Sequence, residues 1–319
     1  MTTIDPDVLL LGDAPIASAA DDLLGHVPLA TRLAELACAG PIGASRTIGV
    51  IGGPGSGRSS LLALTRVELG HHLEVVSAAF DASEHDDGTA GLLRAVFDHL
   101  TESLAQAGAL EKSSQVRDKL AGYLGAVSGV AKLAGVNVDP NALRRSSAAV
   151  RAELLQALQA VGRRFVVTID HADWLGGDHQ HQLLRALHQS MAIPFVTVVL
   201  TLDPDAVRRR VDGMGARGGE LLGRVLDVEL VLPAPPRLVL AKVIAGGLVR
   251  LGERLGRDLD PLLPLFDPEH DGGAPGLRHV RTVRDAKRAV NALSANLPLW
   301  PAGTESDAAI ALLDRLLAR

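Results

Sequence analysis

The chain has 319 residues, 47% of them hydrophobic and 22% charged, which suits one large or two modest globular domains and not a disordered chain. Its net charge of −5 removes the basic field with which non-specific nucleic-acid binders displace counterions, so nucleic acid is not the expected partner. Aromatics at 3% argue against a stacking platform or a lectin, and the single Cys38 excludes an internal disulfide or a thiolate metal cluster.

Residues 1 to 20 show no sustained periodicity and read as a mobile arm, and MTTIDPDVLL lacks the pattern of a secretion signal, so the cytoplasm is the expected compartment. A first helix follows, with Leu29, Leu33, Leu36 and Ala37 at three-to-four spacing, Pro28 at its start and Gly40-Pro41 at its stop. The run Thr47 to Ile51 predicts a buried strand, then a glycine-rich turn, then a helix over LLALTRVEL. Further strands are expected at Glu74 to Phe80, Phe165 to Asp170, Phe195 to Leu202 and Val225 to Leu232. The middle two of these four are apolar until their polar ends, as in parallel strands buried on both faces.

The interval between the second and third strands exceeds an ordinary crossover, so a helical insertion is expected over about residues 85 to 160. Within it, 120–138 has the length of a membrane span, but Lys132 and four glycines dilute it and contact with a membrane is disfavoured. After Pro233-Ala-Pro-Pro236 only helical patterns remain. The expected organisation is therefore an α/β domain over 21–235 and a C-terminal helical lid over 236–319.

The segment Gly52 to Ser60, GGPGSGRSS, fits G-x-x-x-x-G-[KR]-[ST] and lies between a buried strand and a helix, where that pattern holds phosphate. Its glycines let Pro54, Gly55, Ser56 and Gly57 turn main-chain N–H groups toward an anion, and the following helix adds its partial positive charge. Ser59 is the expected ligand of Mg²⁺, with Ser60 beside it, while Arg58 stands where Lys normally reaches the outer phosphates. Only five of the 32 basic residues are Lys, so this exchange follows the chain's own bias. A guanidinium grips phosphate but cannot reproduce the compact contact of an ammonium.

FVVTIDHADWL places Asp170 at the carboxyl end of a buried strand, the second expected Mg²⁺ ligand. His171 occupies the position where many P-loop ATPases carry the acid that orients water. His171 or Asp173 could serve instead, and both could equally cap the strand and the turn after it. His179 and His181 read as surface histidines, and Arg144-Arg145 and Arg208 to Arg210 as solvated faces or arginine fingers.

These motifs, in this order, resemble the KAP-family P-loop NTPases, a branch of the AAA-like ATPases. ADDLLGHVPLATRLAELA resembles the family leader, GPGSGRSSLL its Walker A loop and FVVTIDHADWL its Walker B strand, with His171 and Trp174 departing from the pattern. FVTVVLTLDPDAVRRRV, GELLGRVLDVELVLP and RTVRDAKRAVNAL resemble three later segments. The resemblance implies a P-loop NTPase of α/β class, with a mostly parallel five-stranded sheet, binding ATP and Mg²⁺. It also implies an adenine site lined by Leu24 to His26, a sensor role for Asp203, and Arg284 and Arg288 reaching the phosphates from the lid.

The expected function is ATP binding with impaired or slow hydrolysis, the nucleotide acting as a conformational switch read by a protein partner or a second copy. The alternative is a nucleotide-free scaffold in which Arg58 fills the phosphate site and pairs with Asp170 or Asp173.

Overall fold

The computed structural model describes residues 11–16, 18–84, 98–106, 110–128, 147–175, 180, 183–184, 187, 193–203, 205–207, 223–270, 273–301 and 304–317. The expectations for Arg144-Arg145, His179, His181, Arg208 to Arg210 and the second half of 120–138 lie outside the described residues. Among the described residues no helix is long and apolar enough to cross a membrane.

Helix α1 (Val27–Cys38) precedes β1 (Arg46–Ile51), and α2 (Arg58–Leu69) and β2 (Val75–Asp81) follow. Then come α3 (Leu110–Ser128), α4 (Ser147–Val161), β3 (Arg164–Asp170), β4 (Val196–Leu202) and β5 (Val228–Val231). The last part holds α5 (Arg237–Leu255), α6 (Val283–Asn296) and α7 (Glu305–Leu317), joined by short 3₁₀ turns. The five strands form one sheet in the order β2-β3-β4-β1-β5, every pair parallel, so the fold is an α/β P-loop NTPase.

Apolar residues on β3 alternate between the sheet faces as the strand period requires. Phe165, Val167 and Ile169 join Leu154 and Leu158 of α4 in one core, whereas Val166 joins Ile48 and Val50 of β1 and the apolar faces of α1 and α2 in another. A separate third core lies in the C-terminal helices, around Ile244, Leu248, Ala289 and Leu293. β5 is shorter than the expected Val225 to Leu232. Residues 223–225 turn helically, and Asp227 exchanges two hydrogen bonds with Thr47, its N–H donating at 2.9 Å and its Oδ2 accepting at 2.7 Å.

This order separates the phosphate-loop strand β1 from the acidic strand β3 by β4 alone. The carboxyl ends of all the strands open to one side, where ligands of parallel sheets bind.

Candidate functional site

Between β1 and α2 the chain turns through Gly55 and Gly57, whose φ of 75° and 91° lie in the left-handed region. Both also sit under close neighbours. A Cβ on Gly55 would come within 2.7 Å of Thr282 Oγ1, and one on Gly57 within 2.3 Å of His26 Cε1. Thus α1 and α6 press on the loop from two sides.

Each presser is held by its own cap. Asp22 accepts the N–H groups of Leu24 at 3.2 Å and Val27 at 2.8 Å, fixing the turn that sets His26 against the loop. Burial opposes ionisation of Asp22, but main-chain donors led by His26, and the nearby imidazole, hold its carboxyl below the ordinary range. Burial pushes the His26 imidazole below its ordinary value, with Asp22 opposing, and its Nδ1 has no partner. At α6, Thr282 and Asp285 form a capping box, Thr282 Oγ1 accepting from the Asp285 N–H at 3.1 Å and Asp285 Oδ2 from the Thr282 N–H at 3.0 Å.

A cleft of about 820 Å³ opens between loop and lid. Pro54, Gly55, Gly57, Ser59 and Ser60 line one wall, Arg284 and Lys287 of α6 face them, and His171 and Trp174 close a third side. Residues 11–16 cross its mouth: the Leu11 N–H donates to Asn291 Oδ1 at 2.7 Å, Lys287 donates to the Gly12 carbonyl at 2.8 Å, and Asp13 pairs with Arg284. At the other end, the Ile16 N–H donates to Ser60 Oγ at 3.3 Å.

Arg58 heads α2 and is buried. Its two terminal nitrogens each donate at 3.0 Å to Asp173 Oδ2, an ion pair only 9% and 5% exposed. Of the two partners expected for a guanidinium turned away from phosphate, it takes Asp173 and not Asp170. Asp173 Oδ1 remains unpartnered. Asp170 instead accepts from the Thr201 hydroxyl at 2.6 Å and from the His171 N–H at 2.9 Å, both on Oδ1. The His171 ring stands against Asp81 at the end of β2, its Nδ1 3.0 Å from each carboxylate oxygen.

Of the other residues singled out in the sequence, Asp203 is buried and spends Oδ1 on the N–H groups of Asp205 and Ala206, so it caps the turn after β4. It does not line the cleft, nor does the exposed Arg288; the lid cations there are Arg284, Lys287, one residue before Arg288, and Arg250 of α5. Ser56 is buried beside Gly52 with Oγ unpartnered. This orphaned hydroxyl, the glycine cradle and the free N–H groups that open a helix fit a phosphate chain. Ser59, which lines the cleft, and Asp170, which does not, carry hard oxygens of the kind Mg²⁺ takes.

Asp81 and Asp13 carried no motif, and Lys287 lies within RTVRDAKRAVNAL without having been singled out there. The sheet register sets Asp81, at the end of its strand, directly opposite Asp170.

The family profile for the AAA ATPase domain matches residues 28–200, more than half of the chain. The chain belongs to the AAA ATPase domain family. The match runs from α1 through most of β4, so it takes in the loop and the acidic strand of this AAA ATPase domain but not α5 to α7. A nucleotide-binding P-loop domain is what that membership establishes. No curated protein matches the chain.

Among solved structures, the ORC2 protein of Aeropyrum pernix in ADPNP–ADP complexes is similar at 14% identity, over 95% of this chain and 70% of that one, with a TM-score of 0.46. The Walker-type ATPase paby2304 of Pyrococcus abyssi is similar at 12% identity, over 96% and 77%, with a TM-score of 0.46. The ORC1 protein of Aeropyrum pernix in complex with DNA is similar at 13% identity, over 96% and 69%, with a TM-score of 0.47.

Proposed function

We propose that this AAA ATPase domain is a cytoplasmic, KAP-like NTPase that binds ATP with Mg²⁺, hydrolyses it slowly, and uses it as a switch between the α/β domain and the helical lid. The observation that carries this reading is the cleft itself, with phosphate-loop glycines on one wall and the cations of α6 on the other. A triphosphate bridging Gly52 to Ser60 and Arg284 would favour the closed arrangement by its differential affinity for that state. A protein partner or a second copy would read the lid position.

Bound Mg²⁺ would supply neutralisation of the phosphate oxygens, with the Ser59 hydroxyl and the Asp170 carboxylate holding it. The chain's own residues bring the slowness. Arg58 is committed to Asp173, and breaking a buried pair leaves a charge uncompensated at a cost on the order of 3–5 kcal/mol. ATP must offset that cost before the guanidinium can reach it. Asp173, so engaged, is not placed to act on water, which leaves His171 as the group beside the cleft.

A second reading is favoured by the same ion pair: Arg58 on Asp173 is the arrangement of a scaffold that binds no nucleotide. Thermal melting with and without Mg-ATP separates the two, since only the first gives a nucleotide-dependent rise. Turnover measured alongside, on the native chain and on Arg58→Lys/His171→Asp, is expected to be slow in the former and at least about tenfold faster in the latter. A chain that ATP does not stabilise is the scaffold.

A further inference from the structure

One face of α6 carries Arg284, Lys287 and Asn291 at i, i+3 and i+7, and residues 11–13 run along it in the opposite direction, with one partner for each. Asn291 sets the register with both ends of its amide. Its Oδ1 accepts the Leu11 N–H at 2.7 Å and its Nδ2 donates to the Leu11 carbonyl at 3.1 Å. Lys287 Nζ then meets the Gly12 carbonyl at 2.8 Å, and Asp13 falls on Arg284. Apolar side chains secure both ends of the segment, Leu11 against the core of the C-terminal helices and Ile16 against the core that holds α1 and α2.

The atoms engaged decide what each cation can still do. Asp13 Oδ2 takes the Nε–H of Arg284, and the two terminal nitrogens of that guanidinium make no hydrogen bond among the described residues. Arg58 is the opposite case, with both terminal nitrogens committed to Asp173. A guanidinium grips phosphate as a two-pronged fork, so the fork of Arg58 is occupied and that of Arg284 is open. Lys287 likewise gives only one of its three donors to Gly12. Arg284 is also rooted over the phosphate loop, since a Cβ on Gly55 would stand 3.2 Å from Arg284 Cβ.

We propose that residues 11–13 form a positioning strap in which Asp13, set in register by Asn291, holds Arg284 by Nε so that its terminal nitrogens meet the outermost phosphate of ATP. The proposal rests on the ATP reading of the cleft and names the residue that makes the site prefer a triphosphate to a diphosphate. An unheld arginine at a partly exposed position spreads over many rotamers, and a ligand that needs it must also order it. The carboxylate does that ordering beforehand. Asp13 is itself 53% exposed at the cleft mouth, so water and salt screen its repulsion of the phosphates, while its direct contact with Nε persists. Orientation therefore outweighs repulsion.

The test uses the full chain, native and as Asp13→Ala, Asp13→Asn, Asn291→Ala, Arg284→Ala and Asp13→Ala/Arg284→Ala, with Mg-ATP and Mg-ADP affinities measured by titration calorimetry at physiological salt. Asp13→Ala should weaken ATP about three- to tenfold, a part of what one charge-assisted hydrogen bond contributes, and leave ADP within about twofold. Asp13→Asn, which keeps an acceptor oxygen for Nε without the charge, should lose less. Asn291→Ala, which lies outside the cleft lining, should weaken ATP in the same direction by freeing the strap. Once Arg284 is Ala, removing Asp13 as well should change nothing. Tighter ATP binding in Asp13→Ala or Asp13→Asn would make the carboxylate a rival of the phosphates and overturns the proposal. So does an equal loss for ATP and ADP, or a loss that persists without Arg284. A native chain that binds ATP and ADP alike overturns it while leaving the nucleotide reading in place, and one that binds neither overturns both.

Discussion

Arg58 and Asp173 show how one substitution redistributes a site. The guanidinium is longer and more branched than an ammonium, and it reaches past the loop to a carboxylate that it grips with both terminal nitrogens. Replacing Asp173 by Asn should lower the melting temperature of the nucleotide-free chain, because Arg58 is left buried without its counter-charge. The same variant should show a larger rise on adding Mg-ATP, since the phosphates no longer compete with a carboxylate. An unchanged ATP response, read by thermal melting, would mean that the ion pair has no bearing on the cleft. Arg58 itself was legible in the sequence because its position in the motif is fixed by spacing, but its partner was legible only as one of two, since the choice depends on where the turn after β3 sends Asp173. Lys287 was overshadowed by Arg288 for a similar reason, because which of two adjacent helical residues faces the loop depends on how α6 is rotated.

The elements that frame the site were legible where a local rule sets them. Apolar runs marked all five strands, and the T-x-x-D pattern that begins at Thr282 is the capping box that starts α6. What a single sequence does not contain is that this cap lies on Gly55. Thr282→Ala should cost about 1 kcal/mol of stability by loss of the cap, and it should also weaken ATP binding, because the cap holds α6 against the phosphate loop. Chemical denaturation and nucleotide titration measured together check both effects. Gly57→Ala is expected to be harsher. A methyl there meets His26 at a backbone angle that L-residues resist, so ATP binding should be lost while the strand and helix on either side remain. The edge strand was overestimated for a physical reason: Asp227 pairs with Thr47 at the strand entrance, and the apolar Val225 and Leu226 before it pack inward from a helical turn.

At the scale of the whole molecule, titratable groups in and beside the cleft couple stability to acidity. The folded state holds His26 below its ordinary value of 6.5, so the unfolded chain takes up that proton first. Its contribution is complete above 6.5 and is lost as pH falls from there through the folded value. Asp22 and Asp81 are held below their ordinary value of 3.8, so their contributions survive that loss and disappear only in stronger acid. The melting temperature should therefore fall in two stages on acidification, and His26→Asn should flatten the first stage while leaving the second, in melts recorded from pH 8 downward.

The stretch from Leu11 to Ile16 is moored to the lid through Asn291 and Lys287 and to the helix after the loop through Ser60. It cannot keep both moorings if those two bodies part. A dye attached there, on Ala14→Cys with Cys38→Ser, would change its brightness as the mouth opens or shuts, giving an optical gauge of the motion in real time.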